Sequence, residues 1–212
     1  MAGLLDGLMD QLGGDRLGQI AGALGGDGDR TQAAIASALP ALLGGLANNT
    51  VNDDGAASLR SALDDHDGSV LDDPSELLAG GGEGEGILGH ILGGKRGGVE
   101  QHVAGSSGLD VGQVTKLLPM LAPMVMGFLG KKQRDEGLDA GGLAGVLGGE
   151  RRNLEAADPG LGGLAGILDR DGDGDVMDDL SSVAGGLLGG GSKQKSGGLG
   201  GLGGLIGKLF RR

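Results

Sequence analysis

The chain has 212 residues, a net charge of -12, 52 glycines, two phenylalanines and no cysteine, tryptophan or tyrosine. This excludes disulfide frameworks, thiolate metal sites and cysteine nucleophiles, and the acidic balance argues against a nucleic-acid-binding surface over most of the molecule. Apolar residues at 38% suffice for a core, and because they are Leu, Ala, Val and Ile rather than rings, that core must be thin and close-packed; glycine far above its usual share of about 7% also fits a low-complexity, partly disordered chain.

Taken in order, Leu4, Leu5, Leu8, Met9 and Leu12 recur at helical spacing, and Gly13-Gly14 ends a first short helix. Asp15 caps a second, striped by Leu17, Ile20, Ala21 and Leu24 and stopped at Gly25-Gly26. Asp29 or Thr31 opens a third through Ile35, Leu39, Leu42, Leu43 and Leu46, interrupted at Pro40 and ended by Asn48-Asn49. A fourth, Ala56 to Leu63, leads into an acidic loop, Asp64 to Asp73. Asp73-Pro74-Ser75-Glu76 reads as a turn with a helix start, followed by the glycine-rich stretch Gly80 to Gly86. Ile87-Leu88 and Ile91-Leu92 mark a short helix closed by Gly93-Gly94.

Gln113 to Leu129 is the longest apolar run, uncharged between Lys116 and Lys131. With two prolines it is too short and too broken to span a bilayer, which needs roughly 20 residues, so it reads as a buried core helix. Leu138 to Leu147 is amphipathic and precedes a charged linker; then come Leu161 to Leu168, a second acidic loop, and Leu180 to Leu188. From Gly190 onward the chain carries Lys193, Lys195, Lys208, Arg211 and Arg212 and no acid. No stretch alternates in the manner of a strand. The fold class is therefore all-α, a compact multi-helical bundle of short glycine-punctuated helices. The predicted organisation is a helical domain over 1–132, a helical extension over 138–188 and a flexible cationic tail over 189–212.

An ungapped shift of 79 residues places Ile20 on Val99, Leu24 on Val103, Gly26 on Gly105, Ile35 on Val114, Leu39 on Leu118, Pro40 on Pro119 and Leu42 on Leu121. Leu-rich helices also resemble one another by composition alone. What favours an internal duplication, with repeats near 20–46 and 99–125, is a Leu-Pro pair kept twice inside a helical pattern.

The segments ALPALLGGLANN, LDDHDGSVLDD and GILGHILGGKRGGVEQHVAGSSGLDVGQVTKLLPMLAPMVMGFLG, in that order, resemble the YidB-like family of bacterial proteins, a domain of unknown function. The resemblance runs from about Ile20 to Gly130. It implies an all-helical bacterial domain and supplies no catalytic residues.

Asp169, Asp171, Asp173 and Gly174 stand as D-R-D-G-D-G, the first half of an EF-hand loop, where alternate residues of a tight turn aim oxygens at a hard cation. Asp175 would add its carbonyl. Position twelve is Leu180 in place of the bidentate Glu, with Asp178 and Asp179 one or two places early, so the predicted calcium affinity is weak, near 10⁻⁴ to 10⁻³ M. The alternative is that these acids cap a helix starting near Val176. In the earlier loop Asp65, Asp67 and Asp72 echo the pattern, but Leu63 occupies the first ligand position. A side-by-side pairing of the two loops, Val70 against Val176, is the sharper expectation.

His66 lies in the weak loop, and His90 and His102 sit near apolar helical positions, where a surface or core role outweighs catalysis. Ser106-Ser107 near His102 lacks a third group to orient a base and reads as a helix break. With no phosphate loop, nucleophile elbow or His-Glu-x-x-His present, the expectation is a non-enzymatic protein. One reading is a calcium-stiffened helical scaffold that self-associates as a homo-oligomer. The other is a peripheral membrane or anionic-partner binder acting through the amphipathic cationic face of Leu199 to Arg212. Asp6 and Asp10 break any secretory signal pattern, so cytoplasmic residence is expected.

Overall fold

Short apolar stripes bounded by glycine or by a capping side chain set the helix ends. The computed structural model describes residues 3–66, 68–72 and 82–157. Its helices are α1 (Leu4–Leu12), α2 (Asp15–Leu24), α3 (Gly28–Asn49), α4 (Asp53–Asp64), the single turn α5 (Ser69–Asp72), α6 (Glu83–Leu92), α7 (Arg96–Ser107) after a 3₁₀ turn at Gly93–Lys95, α8 (Val111–Glu136) and α9 (Ala140–Ala157). Among the described residues there is no strand. The all-α expectation is met.

Several boundaries differ from the periodicity. Asp15 lies inside α2, preceded by Gly14, while α3 opens earlier than Asp29 because the Asp27 carboxylate accepts the Arg30 N–H at 3.1 Å. Asp110 and Gln113 form a reciprocal capping box on α8, with bonds of 2.8 and 3.1 Å. Gly25 and Gly108, at φ 99° and 74°, take the left-handed conformation that closes α2 and α7. The charged stretch Glu150-Arg151-Arg152, expected to be a linker, continues α9. That helix packs on α3 and α4, so the predicted extension begins against the first bundle.

Among the described residues no proline interrupts its helix. α3 runs through Pro40, and α8 runs through Pro119 and Pro123 to Glu136. Each proline removes one backbone donor and leaves the carbonyl four residues earlier without its helical partner. For Pro123 that carbonyl belongs to Pro119, and Gly84 of α6 packs directly on it: a Cβ at Gly84 would collide with the Pro119 oxygen. The bare Cα edge of a glycine is what fits, within reach of a weak C–H···O contact. Tertiary packing thus supplies what proline takes away.

Every residue from Leu121 to Gly127 is buried, so α8 is covered around most of its circumference. By length and composition α8 is, among the described residues, one helix able to cross a membrane, but 56% of its most apolar window lies inside the bundle. Its principal neighbours are α2, α3, α4, α5, α6 and α7, while α3 packs against α2, α6, α7 and α9. The resulting core is almost wholly aliphatic, with Leu8, Leu39, Leu42, Leu63, Leu88 and Leu118 fully buried and Phe128 at its margin.

The buried positions of α3 and α8 also coincide at a displacement of 83 residues, four more than the 79 of the sequence alignment. Every buried residue of α3, from Thr31 to Ala47, then falls on a buried residue of α8, from Val114 to Gly130. The same displacement puts Asp27 on Asp110, Gly25 on Gly108 and Pro40 on Pro123.

Replacing Gly84 by Ala is expected to destabilise the fold by about 1–3 kcal/mol through collision with the Pro119 backbone. Gly86→Ala, on the same helix with open space at its Cα, should stabilise by about 0.5–1 kcal/mol. Urea midpoints of the two variants, moving in opposite directions from the parent, check both.

Candidate functional site

The described part of the first acidic loop forms an elbow seated on the second half of α8. Helix α4 ends at Asp64, and the N–H groups of Asp65 and His66 turn back to the carbonyls of Ala62 and Leu63. Gly68, at φ 86°, redirects the chain into α5, where Leu71 N–H bonds the Gly68 carbonyl at 2.9 Å. The seat is built from a single turn of α8, Gly130 to Arg134. Gly130 leaves room for the His66 carbonyl oxygen, which stands where a Cβ would be. Arg134 donates to that same oxygen at 3.2 Å, and the side chain of Gln133, 4% exposed, donates to Asp64 at 3.1 Å. The other Asp64 oxygen takes Arg60 at 3.4 Å.

Of the residues proposed to bind calcium here, Asp65 is exposed just beyond α4. Asp67 and the side chain of Asp72 lie outside the described residues, as do Asp169, Asp171, Asp173, Asp175, Asp178, Asp179, the pairing of Val70 with Val176, and the cationic tail. Among the described residues no three acidic or histidine side chains converge as metal ligands. His66 Nδ1 stands 3.8 Å from Glu83. The loop's His66 carbonyl and the preceding Asp64 carboxylate tie the end of α4 to α8.

Beside the elbow lies a cleft of about 410 Å³, lined by Arg60, Asp64, Gln133, Arg134, Leu138 and Asp139. Its ionised groups are mostly committed. Asp139 caps α9 through the Gly142 N–H at 2.7 Å, Asp64 is held as above, and Arg134 is spent on His66. Gln133 Oε1 is buried without a hydrogen-bond partner, so one donor, for which a water molecule suffices, would complete it.

Two further polar clusters hold helices together. Glu150 of α9 is buried and accepts the Leu4 and Leu5 N–H groups at 3.1 and 2.9 Å, capping α1 from a distant segment because Gly3 has no side chain to do so. Arg96 forks between Glu85 of α6 and Glu100 of α7. The hydrogen bond from Arg96 holds the Glu85 carboxyl below its ordinary value, and Arg96 is raised in return.

Ser106 and Ser107 both donate to the Val103 carbonyl, at 3.2 and 2.6 Å, and His90 and His102 are exposed. The serines thus close the end of α7. Sequence reasoning passed over Gln133 and Glu150, yet Gln133 continues the buried stripe of Met126, Leu129 and Gly130 at helical spacing. A polar residue in that register was the available signal.

A family model described as "Bacterial protein of unknown function (DUF937)" matches residues 6–132, from within α1 to within α8. No curated protein and no solved structure matches the chain.

The Arg96–Glu85 pair is partly exposed and contributes at most about 1 kcal/mol. Because the folded carboxyl titrates below its unfolded value of about 4.3, that contribution is complete above the unfolded value and lost as pH falls through the folded one. Glu85→Gln is therefore expected to lower the urea midpoint at about pH 7 and to converge on the parent as pH falls through the folded carboxyl's lowered value.

Proposed function

We propose that this chain, which belongs to the DUF937 family of bacterial proteins of unknown function, acts in the cytoplasm as a non-enzymatic helical scaffold that associates with copies of itself. What carries the reading is the destination of the polar side chains. Asp27, Asp110, Gln113, Asp139 and Glu150 close helix ends, and Asp64, Gln133, Arg134 and Arg96 fasten one helix to the next. A chain with few large apolar side chains, and with glycine at many helix ends, gains its rigidity from such fastenings.

Calcium belongs to the same reading. The spacing of Asp169, Asp171 and Asp173 ahead of Gly174, with Asp178 and Asp179 as late carboxylates, suits a weak site that would stiffen the segment after α9. Ion binding to the folded form adds stability by mass action.

Calorimetric titration should give a calcium dissociation constant of about 10⁻⁴ to 10⁻³ M. The heats should vanish in the Asp171→Ala, Asp173→Ala variant; equal heats in parent and variant exclude the site. Gel filtration over a concentration series, with and without calcium, should show a species larger than one chain. Elution as a single chain throughout excludes self-association.

A further inference from the structure

The helices fall into two halves, α1 to α5 and α6 to α9, and their contacts are crossed. Helix α3 of the first half is covered largely by α6, α7 and α9, while α8 of the second is covered by α2, α4 and α5 in addition to its own half. Each half therefore supplies much of the other's core.

The crossing is also reciprocal in detail, at the displacement of 83. Gln113, third residue of α8, donates to the Leu24 carbonyl at the end of α2, at 2.9 Å. Arg30, third residue of α3, donates to the Gly108 carbonyl at the end of α7, at 3.3 Å. Arg30 and Gln113 are equivalent positions, and each caps the short helix of the opposite half. Gly45 of α3 meets Ile91 of α6, and its equivalent, Phe128 of α8, meets Gly7 of α1. Such paired, direction-reversing contacts are the mark of a two-fold relation.

We propose that the halves are duplicated units which clasp one another about a pseudo-two-fold axis, and that a second copy of this chain can supply either half, giving a dimer with exchanged halves. This rests on the self-association reading and names its surface: the inner faces of the halves. Among the described residues, the large apolar side chains standing well exposed are Val51 and Val111, too isolated to form an interface. Exchange keeps the contacts between the described parts of the halves, so its enthalpic cost there is small. A tethered half competes at an effective concentration in the millimolar range, so a single chain dominates when dilute, and exchange grows with chain concentration during folding.

A thiol pair tests this in the full chain, which has no cysteine of its own. Ser37 of α3 and Ser106 of α7 face each other across the halves, oxygen to oxygen at 2.9 Å. Sulfurs at those two positions are within reach of a disulfide. Full-length Ser37→Cys and Ser106→Cys chains are mixed, unfolded under reduction, refolded together over a concentration series and oxidised. The expected product is a covalent dimer of one chain of each kind, its yield about doubling with each doubling of concentration while small. Ser37→Cys refolded alone should give none, because each residue 37 faces a residue 106.

The double variant Ser37→Cys/Ser106→Cys supplies the second readout: it should close within one chain when dilute and between chains when refolded concentrated. If it closes within the chain at every concentration, and the mixture gives no mixed dimer, exchange is overturned. Failure to close at all overturns the reciprocal geometry itself. Gel filtration of the unmodified chain then separates the two ideas, since a dimer without mixed cross-links leaves self-association standing, and a single chain removes both.

Discussion

The architecture depends on covering α8 with a core that contains almost no large rings. A helix buried around most of its circumference needs neighbours that approach closely, and aliphatic side chains with glycine permit that approach where aromatic ones would hold the axes apart. At Gly84 against Pro119, Gly130 against His66 and Gly45 against Ile91, backbone meets backbone. Some of the glycines are thus required, at left-handed ends such as Gly25 and Gly108 and at contact points where even a methyl group is excluded, while others such as Gly86 stand in open space.

The polar groups follow from the same constraint. Short helices have many ends per residue, and every end leaves backbone donors or acceptors to satisfy. Asp27, Asp110 and Asp139 do this locally, whereas Glu150 does it for α1 across more than a hundred residues of chain. A distant cap joins two tasks, because the bond that completes the helix also fixes its position in the bundle. The fork at Arg96 joins α6 to α7 in a similar way.

How much of this could be read from the residues alone depended on range. Helix existence was legible, since apolar spacing and glycine stops are local: α1, α2 and α6 end where Gly13, Gly25 and Gly93 stand. Proline misled, because its cost is local and its compensation is tertiary, so Pro40 suggested an interruption that packing overrides. Displacements of 79 and 83 of α3 on α8 are hard to tell apart in the sequence for a geometric reason. Four residues turn a helix by about 40° more than a full circle, which leaves an apolar stripe nearly in phase, and Pro119 and Pro123 offered two equally good anchors. Gln133, Arg134 and Glu150 carry no motif at all; their partners are remote, and only folding brings them near.

The position of α8 along the chain has a consequence for biosynthesis. The helices that principally bury it, α2 through α7, all precede it. As the polypeptide leaves the ribosome from its N-terminus, the greasiest segment emerges into a cavity whose walls have already been made. Its apolar surface need wait for nothing downstream, which shortens the interval in which a chaperone or a neighbouring nascent chain could capture it.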